Sequence, residues 1–294
     1  MHVLITGAGG FIGGHMVAAS LAQQHIVTAT YRHSPVTLPG DDIRHDRLQT
    51  LCCDLNELKS LPHDLDAIIH IAGLRESATA SDEKFVQDNI KATQNLVDLA
   101  TFSGVRQFIF TSSVAVTDHP GDTSVSASTP PHPRGVYGRT KLESERHLLR
   151  ANPRMKRLII RLPAVLGVGA HGGFLPDVVR KVRNGSTIQL FNPQRRFNRA
   201  VHVSDLAKMA LSALNSTSMQ MDTVVLGAAE PISLESAIQN IIGITNSSSQ
   251  IVDQGERNPA PLIDYRAATR RYAYNPLSLR ALLEVYVTEE CQIL

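Results

Sequence analysis

Tyr137 and Lys141 stand four residues apart in the run Tyr137-Gly138-Arg139-Thr140-Lys141. On a helix that spacing puts both side chains on one face, about one turn apart. A phenol with an ordinary pKa of about 10 is a poor base at neutral pH, and poising it near 7 needs roughly 4 kcal/mol. A cation about 4 Å away at an effective dielectric near 20 supplies roughly that much. The pair is therefore a physically sufficient acid/base group. Thr111-Ser112-Ser113 precedes it in the chain. A serine hydroxyl there would hydrogen-bond a reacting oxygen and fix its orientation. Ser113 is the first candidate and Ser112 its competitor, because the register of a Ser-Ser pair is not set by sequence. The set suits hydride transfer, with Tyr137 moving the proton.

A hydride donor needs a place, and the N-terminal segment offers one. Thr6-Gly7-Ala8-Gly9-Gly10-Phe11-Ile12-Gly13 follows a strand pattern and opens a helix pattern. Gly7 permits a tight turn, Gly10 lets the backbone approach a pyrophosphate, and Gly13 lets the helix pack closely on a strand. The N–H groups of Phe11 and Ile12 at the helix start would face the phosphates. The second strand ends Thr30-Tyr31-Arg32-His33. An NAD enzyme normally carries an acid there for the ribose hydroxyls. A guanidinium binds a 2′-phosphate instead, so Arg32 points to NADP, with NAD the alternative.

The elements that must position these groups alternate. Strand patterns fall near His2–Thr6, Ile26–Tyr31, Leu48–Cys53, Ala67–Ile71, Gln107–Ser112 and Arg157–Leu162, with helical patterns near Phe11–Gln23, Asp82–Ser103 and Tyr137–Arg150. Strand–helix repetition with apolar, β-branched strands predicts an α/β fold with a doubly wound parallel sheet. Residues 1–162 form the expected dinucleotide-binding domain and 163–294 a smaller substrate-binding lobe, with segments near 201–226 able to return to the sheet. Residues 118–134, rich in Pro, Ser, Thr and Gly, read as a loop before the Tyr137 helix.

Composition excludes several classes. The formal net charge of +2 is too small to argue for nucleic acid or a membrane surface, and Trp is absent. No run approaches about 18 uninterrupted apolar residues. Three cysteines make no disulfide framework, and Cys52 and Cys53 read as buried thiols in a strand. A cytoplasmic setting is the expectation. The 12 histidines lack metal-ligand spacing, so no metal is expected. His119 and His132 lie in the loop before Tyr137, within reach of a substrate there.

Together these motifs resemble the extended short-chain dehydrogenase/reductase family, in its nucleotide-sugar epimerase, dehydratase and reductase branch. The resemblance is carried by the glycine loop, Cys53-Asp54-Leu55, Ile69-His70-Ile71-Ala72-Gly73-Leu74-Arg75, Asp88-Asn89-Ile90, the Ser113/Tyr137/Lys141 set, Arg161–Gly167 and Ala200–Ala207. It implies a Rossmann-type fold. It places Asp54 with Leu55 beside the adenine, Ala72 and Gly73 beside the cofactor ribose and pyrophosphate, and Asn89 in support of the active site. Lys141 would also hold the nicotinamide ribose. Arg75 is a candidate phosphate clamp, and Arg196 and Arg199 are candidate ligands of a substrate diphosphate. A homodimer through the Asp82–Ser103 and Tyr137–Arg150 helices is implied as well, although Leu96, Leu99, Leu148 and Leu149 read equally as core.

The chain departs from the family at the missing acid after the second strand, at Val114–Asp118 and in its short C-terminal lobe. Those departures favour reduction of a 4-keto nucleoside-diphosphate sugar by NADPH. The alternative is a 4-epimerase with retained NAD, and a non-catalytic NADP-binding redox sensor is the alternative of another class.

Overall fold

A computed structural model describes residues 1–39, 45–75, 79–117, 124–216, 220–257 and 260–292. His119 lies outside the described residues, as does the first part of the loop before Tyr137. Seven strands form the central sheet: β1 (His2–Thr6), β2 (Ile26–Tyr31), β3 (Leu48–Cys52), β4 (Ala67–His70), β5 (Gln107–Ser113), β6 (Lys156–Leu162) and β7 (Met221–Val225). Their order is β7-β6-β5-β4-β1-β2-β3, and the pairs from β3 through β5 are parallel. The order reverses at β1, which is the ligand-binding crevice of doubly wound sheets.

Val3, Leu4 and Ile5 of β1 and Ala67, Ile68 and Ile69 of β4 are wholly buried, as central strands covered on both faces require. The edge strand β3 differs. Cys52 is exposed and Cys53 only half-buried, which corrects the expectation of buried thiols. An apolar-looking strand at a sheet edge lacks a neighbour on one side.

Helix α1 (Phe11–Ala22) buries Met16, Val17 and Leu21. The expected Asp82–Ser103 helix is built in three pieces: α2 (Asp82–Phe85), a π-helical turn over Val86–Lys91, and α3 (Ala92–Phe102). Ser81 caps its start by accepting from the Lys84 N–H at 3.3 Å. Helix α4 (Val136–Arg150) carries Tyr137 in its first turn. Leu96 and Leu148 are fully buried with Leu4, Ile68 and Phe108, and Leu99 and Leu149 pack against that cluster, so all four serve the core.

The chain divides into two compact units. The first joins the described parts of 1–117 with 129–161 and 207–224; the second joins 124–128 with 162–206 and the described residues from 225 onward. The second unit is built from short strand pairs, such as Ala164–Leu166 with Ala200–His202, and from helices Phe174–Arg183, Leu234–Thr245 and Leu279–Gln292 around Leu175, Val179, Ile238, Ile241, Leu282 and Tyr286.

Candidate active site

The glycine loop leaves β1 at the reversal of strand order. Gly7 takes φ +69°, and a Cβ there would stand 2.8 Å from the Ala72 nitrogen. A Cβ on Gly13 would overlap the Gly7 carbonyl, whereas one on Gly10 meets only that carbonyl at 3.3 Å. Gly10 caps α1 with no side-chain hydrogen bond. The first-turn N–H groups, those of Phe11 and Ile12 among them, have no carbonyl partner within the helix and suit an anion. These residues fit a dinucleotide pyrophosphate.

Behind the loop runs a chain of hydrogen bonds with a defined direction. Thr93 Oγ1 donates to the Asn89 carbonyl at 2.6 Å, so it accepts from His70 Nε2 at 2.9 Å. His70 Nδ1 is then the acceptor for Thr6 Oγ1 at 2.7 Å. Thr6 Oγ1 in turn accepts from the Ile71 and Ala72 N–H groups, each at 3.1 Å. His70 is neutral: burial pushes its pKa down to about 3. Its ring stacks on Phe110 at 5.5 Å.

Asn89 joins this chain to helix α4. Its Oδ1 accepts from the Leu74 N–H at 2.7 Å, and its Nδ2 donates to the Leu74 carbonyl and to Thr140 Oγ1, both at 3.1 Å. The π-helical turn shifts the local register, and the Asn89 carbonyl takes hydroxyl protons from Thr93 and, at 3.0 Å, from Ser144. Gly73 (φ +145°) passes so close that a Cβ would be 2.8 Å from Asn89 Oδ1 and 3.6 Å from Lys141 Nζ. Lys141 Nζ donates to the Thr111 carbonyl at 3.1 Å and lies 4.9 Å from the Phe110 ring centre. Burial pushes the Lys141 pKa down to about 8, against the nearby Glu145, which raises it.

The two serines of β5 point to opposite faces, as alternation requires. Ser112 Oγ donates to Glu145 Oε1 at 2.5 Å, and Glu145 forms a two-pronged pair with Arg161 at 3.0 and 2.8 Å. All three are buried, so the Ser112 hydroxyl serves a buried ion pair. Ser113 Oγ accepts from the Ala115 N–H at 3.2 Å. Tyr137 lies half-buried with its ring centre 6.4 Å from that of Phe85. Gly138, beside it, lets α4 close onto the 3₁₀ turn Val114–Thr117, since a Cβ would stand 2.5 Å from the Ala115 carbonyl.

Arg32, just past β2, is engaged by carboxylates. Its Nη1 and Nη2 donate to the two oxygens of Asp88 at 3.0 and 2.8 Å, and Nη1 also reaches Asp54 Oδ2 at 3.4 Å. Lys84 Nζ adds a second cation to Asp88 at 2.7 Å. The hydrogen bond from Arg32 holds the Asp88 carboxyl below the usual carboxylate range and raises the pKa of Arg32 itself. The Asn56 N–H is the main influence keeping the Asp54 carboxyl low. Leu55 is buried, its carbonyl accepting from Asn95 Nδ2 at 2.7 Å.

The first unit contains Gly7, Gly10, Phe11, Ile12, Gly13, Arg32, Asp54, Leu55, Ala72, Gly73, Asn89, Ser113, Tyr137 and Lys141, and Arg75 ends the described part of the loop after β4. Arg196 and Arg199 belong to the second unit. Arg196 donates to the Pro231 carbonyl at 3.3 and 3.1 Å, and Arg199 to the Pro261 carbonyl at 3.2 Å. Sequence reasoning missed Thr6, Thr93, Glu145 and Arg161 as positioning residues and Asp88 as the partner of Arg32. Among the described residues no group of three or more His, Cys, Asp or Glu could hold a metal, and no helix is long and apolar enough to cross a membrane.

A glycine loop at the reversal of a parallel sheet, with a Tyr/Lys pair one helical turn apart near the end of β5, is the arrangement that the resemblance to short-chain dehydrogenases/reductases implies. The chain matches the sequence profile of the NAD dependent epimerase/dehydratase family over residues 3–227 and belongs to that family. It is 28% identical over 195 residues to UDP-glucose 4-epimerase 2 of Oryza sativa, covering 60% of this chain and 47% of the rice protein. It is 27% identical over 251 residues to UDP-glucose 4-epimerase of Caenorhabditis elegans, covering 76% of this chain and 67% of the nematode protein. The matched part therefore spans about half and two thirds of these relatives. The fold superposes on UDP-glucuronic acid 4-epimerase from Bacillus cereus, solved in complex with NAD, with a TM-score of 0.84, 22% identity and coverage of 100% of this chain and 99% of that one.

Proposed function

We propose that this protein is an NAD-dependent 4-epimerase of a nucleoside-diphosphate sugar, which oxidises the C4 hydroxyl and re-reduces the same carbon from its other face. The observation that carries this reading is the similarity of the chain to UDP-glucose 4-epimerases, and Lys141, a buried ammonium fixed on the Thr111 carbonyl one turn from Tyr137, supplies the acid/base pair the reaction needs. When bound, NAD supplies the acceptor and donor of the C4 hydride. Tyr137 takes the hydroxyl proton in the oxidative half and returns it in the reductive half. Lys141 favours the phenolate by its charge. Ser113 holds the reacting oxygen, because Ser112 is committed to Glu145.

The Gly7–Gly13 loop and the α1 N-terminus would hold the pyrophosphate, Asp54 and Leu55 the adenine side, and Ala72, Gly73 and Asn89 the ribose and its surroundings. Arg75, Arg196 and Arg199 are the proposed diphosphate ligands. The engagement of Arg32 by Asp88 and Asp54 supports this reading over 4-keto-sugar reduction by NADPH.

The test is incubation of purified protein with UDP-glucose, UDP-glucuronic acid and UDP-N-acetylglucosamine, without added reductant, followed by proton NMR. Inversion at C4 of at least one, lost in Tyr137→Phe, is expected. Consumption of NADPH by a 4-keto-sugar, with no epimer from any of the three, would refute the proposal.

A further inference from the structure

Arg32 stands where doubly wound dinucleotide enzymes read the adenosine ribose, yet both Nη groups of its guanidinium are held from another element. Asp88 projects from the π-helical turn, its side chain only 4% exposed, and meets Nη1 and Nη2 with one oxygen each. Such fork-to-fork pairing fixes the plane of the guanidinium as well as its charge. Asp54 reaches the same Nη1 from the segment after β3. Two cations, Arg32 and Lys84, and two ionised carboxylates, Asp54 and Asp88, make this cluster electrically neutral as a group.

We infer that Asp88 sets the cofactor preference: by pairing with both Nη groups of Arg32 it neutralises that cation toward a 2′-phosphate, and the site selects NAD over NADP. A 2′-phosphate brings roughly −1.5 to −2 charges at neutral pH. Here it meets two carboxylates beside the only guanidinium in the cluster. To bind it through its Nη groups, Arg32 must give up the two-pronged hydrogen bond to Asp88 and leave that carboxylate with Lys84 alone. A ribose with free hydroxyls makes no such demand, and the half-buried Asp54 offers it an acceptor. Arg32 thus acts as a spacer between two acids, and an acidic function absent from the end of β2 is supplied by neighbouring segments. The inference rests on the cofactor reading of the glycine loop made above.

Direct binding of NADH and NADPH, followed by calorimetry or nicotinamide fluorescence without substrate, tests it independently of turnover. Wild-type protein is expected to bind NADH at least about tenfold more tightly than NADPH, a difference of about 1.4 kcal/mol. Arg32→Ala should leave NADPH affinity within about twofold, because Arg32 is not a phosphate ligand in the presence of Asp88. Asp88→Asn should raise NADPH affinity about tenfold, and adding Arg32→Ala should cancel the gain. A wild-type preference for NADPH overturns the inference, as does a tenfold loss of NADPH affinity in Arg32→Ala alone. The Arg32→Ala result decides even if Asp88→Asn does not fold. NADH preference without any epimerisation would remove the proposed reaction and leave this inference standing. Failure to bind either dinucleotide removes both.

Discussion

At the scale of single residues, neighbours in sequence have been given different work by the face they occupy. Ser112 and Ser113 differ by one position, yet the first donates to a buried Glu145–Arg161 pair and the second does not. Ser112→Ala leaves a buried carboxylate short of a donor, which costs about 1–3 kcal/mol. It should lower the melting temperature while changing kcat less than about threefold. Ser113→Ala should do the reverse, with kcat down about 100-fold or more and the melting temperature nearly unchanged. Thermal melts and steady-state rates on the two variants check this directly; equal effects would mean the assignment is wrong.

Lys141 gives a pH dependence of stated sign. Its burial brings its pKa down to about 8. Below that pH the ammonium is present beside Tyr137; above it the phenolate loses its stabilising charge. The alkaline limb of kcat/KM, which reports the free enzyme, should therefore fall as pH rises through about 8. A profile flat to pH 10 would separate the ammonium from the chemistry.

At the scale of elements, the glycine loop divides into packing and binding parts. Gly13→Ala forces a Cβ into the Gly7 carbonyl, and overpacking of this kind costs about 1–3 kcal/mol or more. Gly10→Ala meets only a 3.3 Å contact. It should fold with a near-normal melting temperature and lose NAD affinity about tenfold or more, because the added methyl stands where the backbone is expected to approach the pyrophosphate. Calorimetric binding and melting curves on both variants distinguish the roles.

These elements show which features are legible in sequence. The strands of the sheet centre are continuous apolar runs, and Gly7–Gly13 and Tyr137–Lys141 are short-range patterns whose geometry follows from local backbone alone. The π-helical turn was not legible, because it is settled by hydroxyls of Thr93 and Ser144 meeting the Asn89 carbonyl across two helices. Nor was the state of Arg32. A guanidinium after β2 reads as a phosphate ligand in sequence, and its pairing with Asp88, 56 residues away, is visible only in the fold. The exposure of Cys52 likewise depends on β3 lying at the sheet edge, which strand propensity does not reveal.

At the scale of the whole molecule, the first unit holds every group proposed for hydride and proton transfer, while the second holds Arg196 and Arg199. The acid/base set alone does not choose between reduction and epimerisation, since both use the same phenol. The distinguishing property is the fate of the hydride: an epimerase takes it from C4 and puts the same one back. The most direct measurement is turnover of UDP-glucose, UDP-glucuronic acid and UDP-N-acetylglucosamine, each carrying deuterium at C4, in protonated water with no added nicotinamide reductant, read by NMR and mass spectrometry. The account predicts the C4 epimer of at least one of them, with the deuterium retained at C4. Washout of the label, or no epimer unless NADPH is supplied, would contradict it.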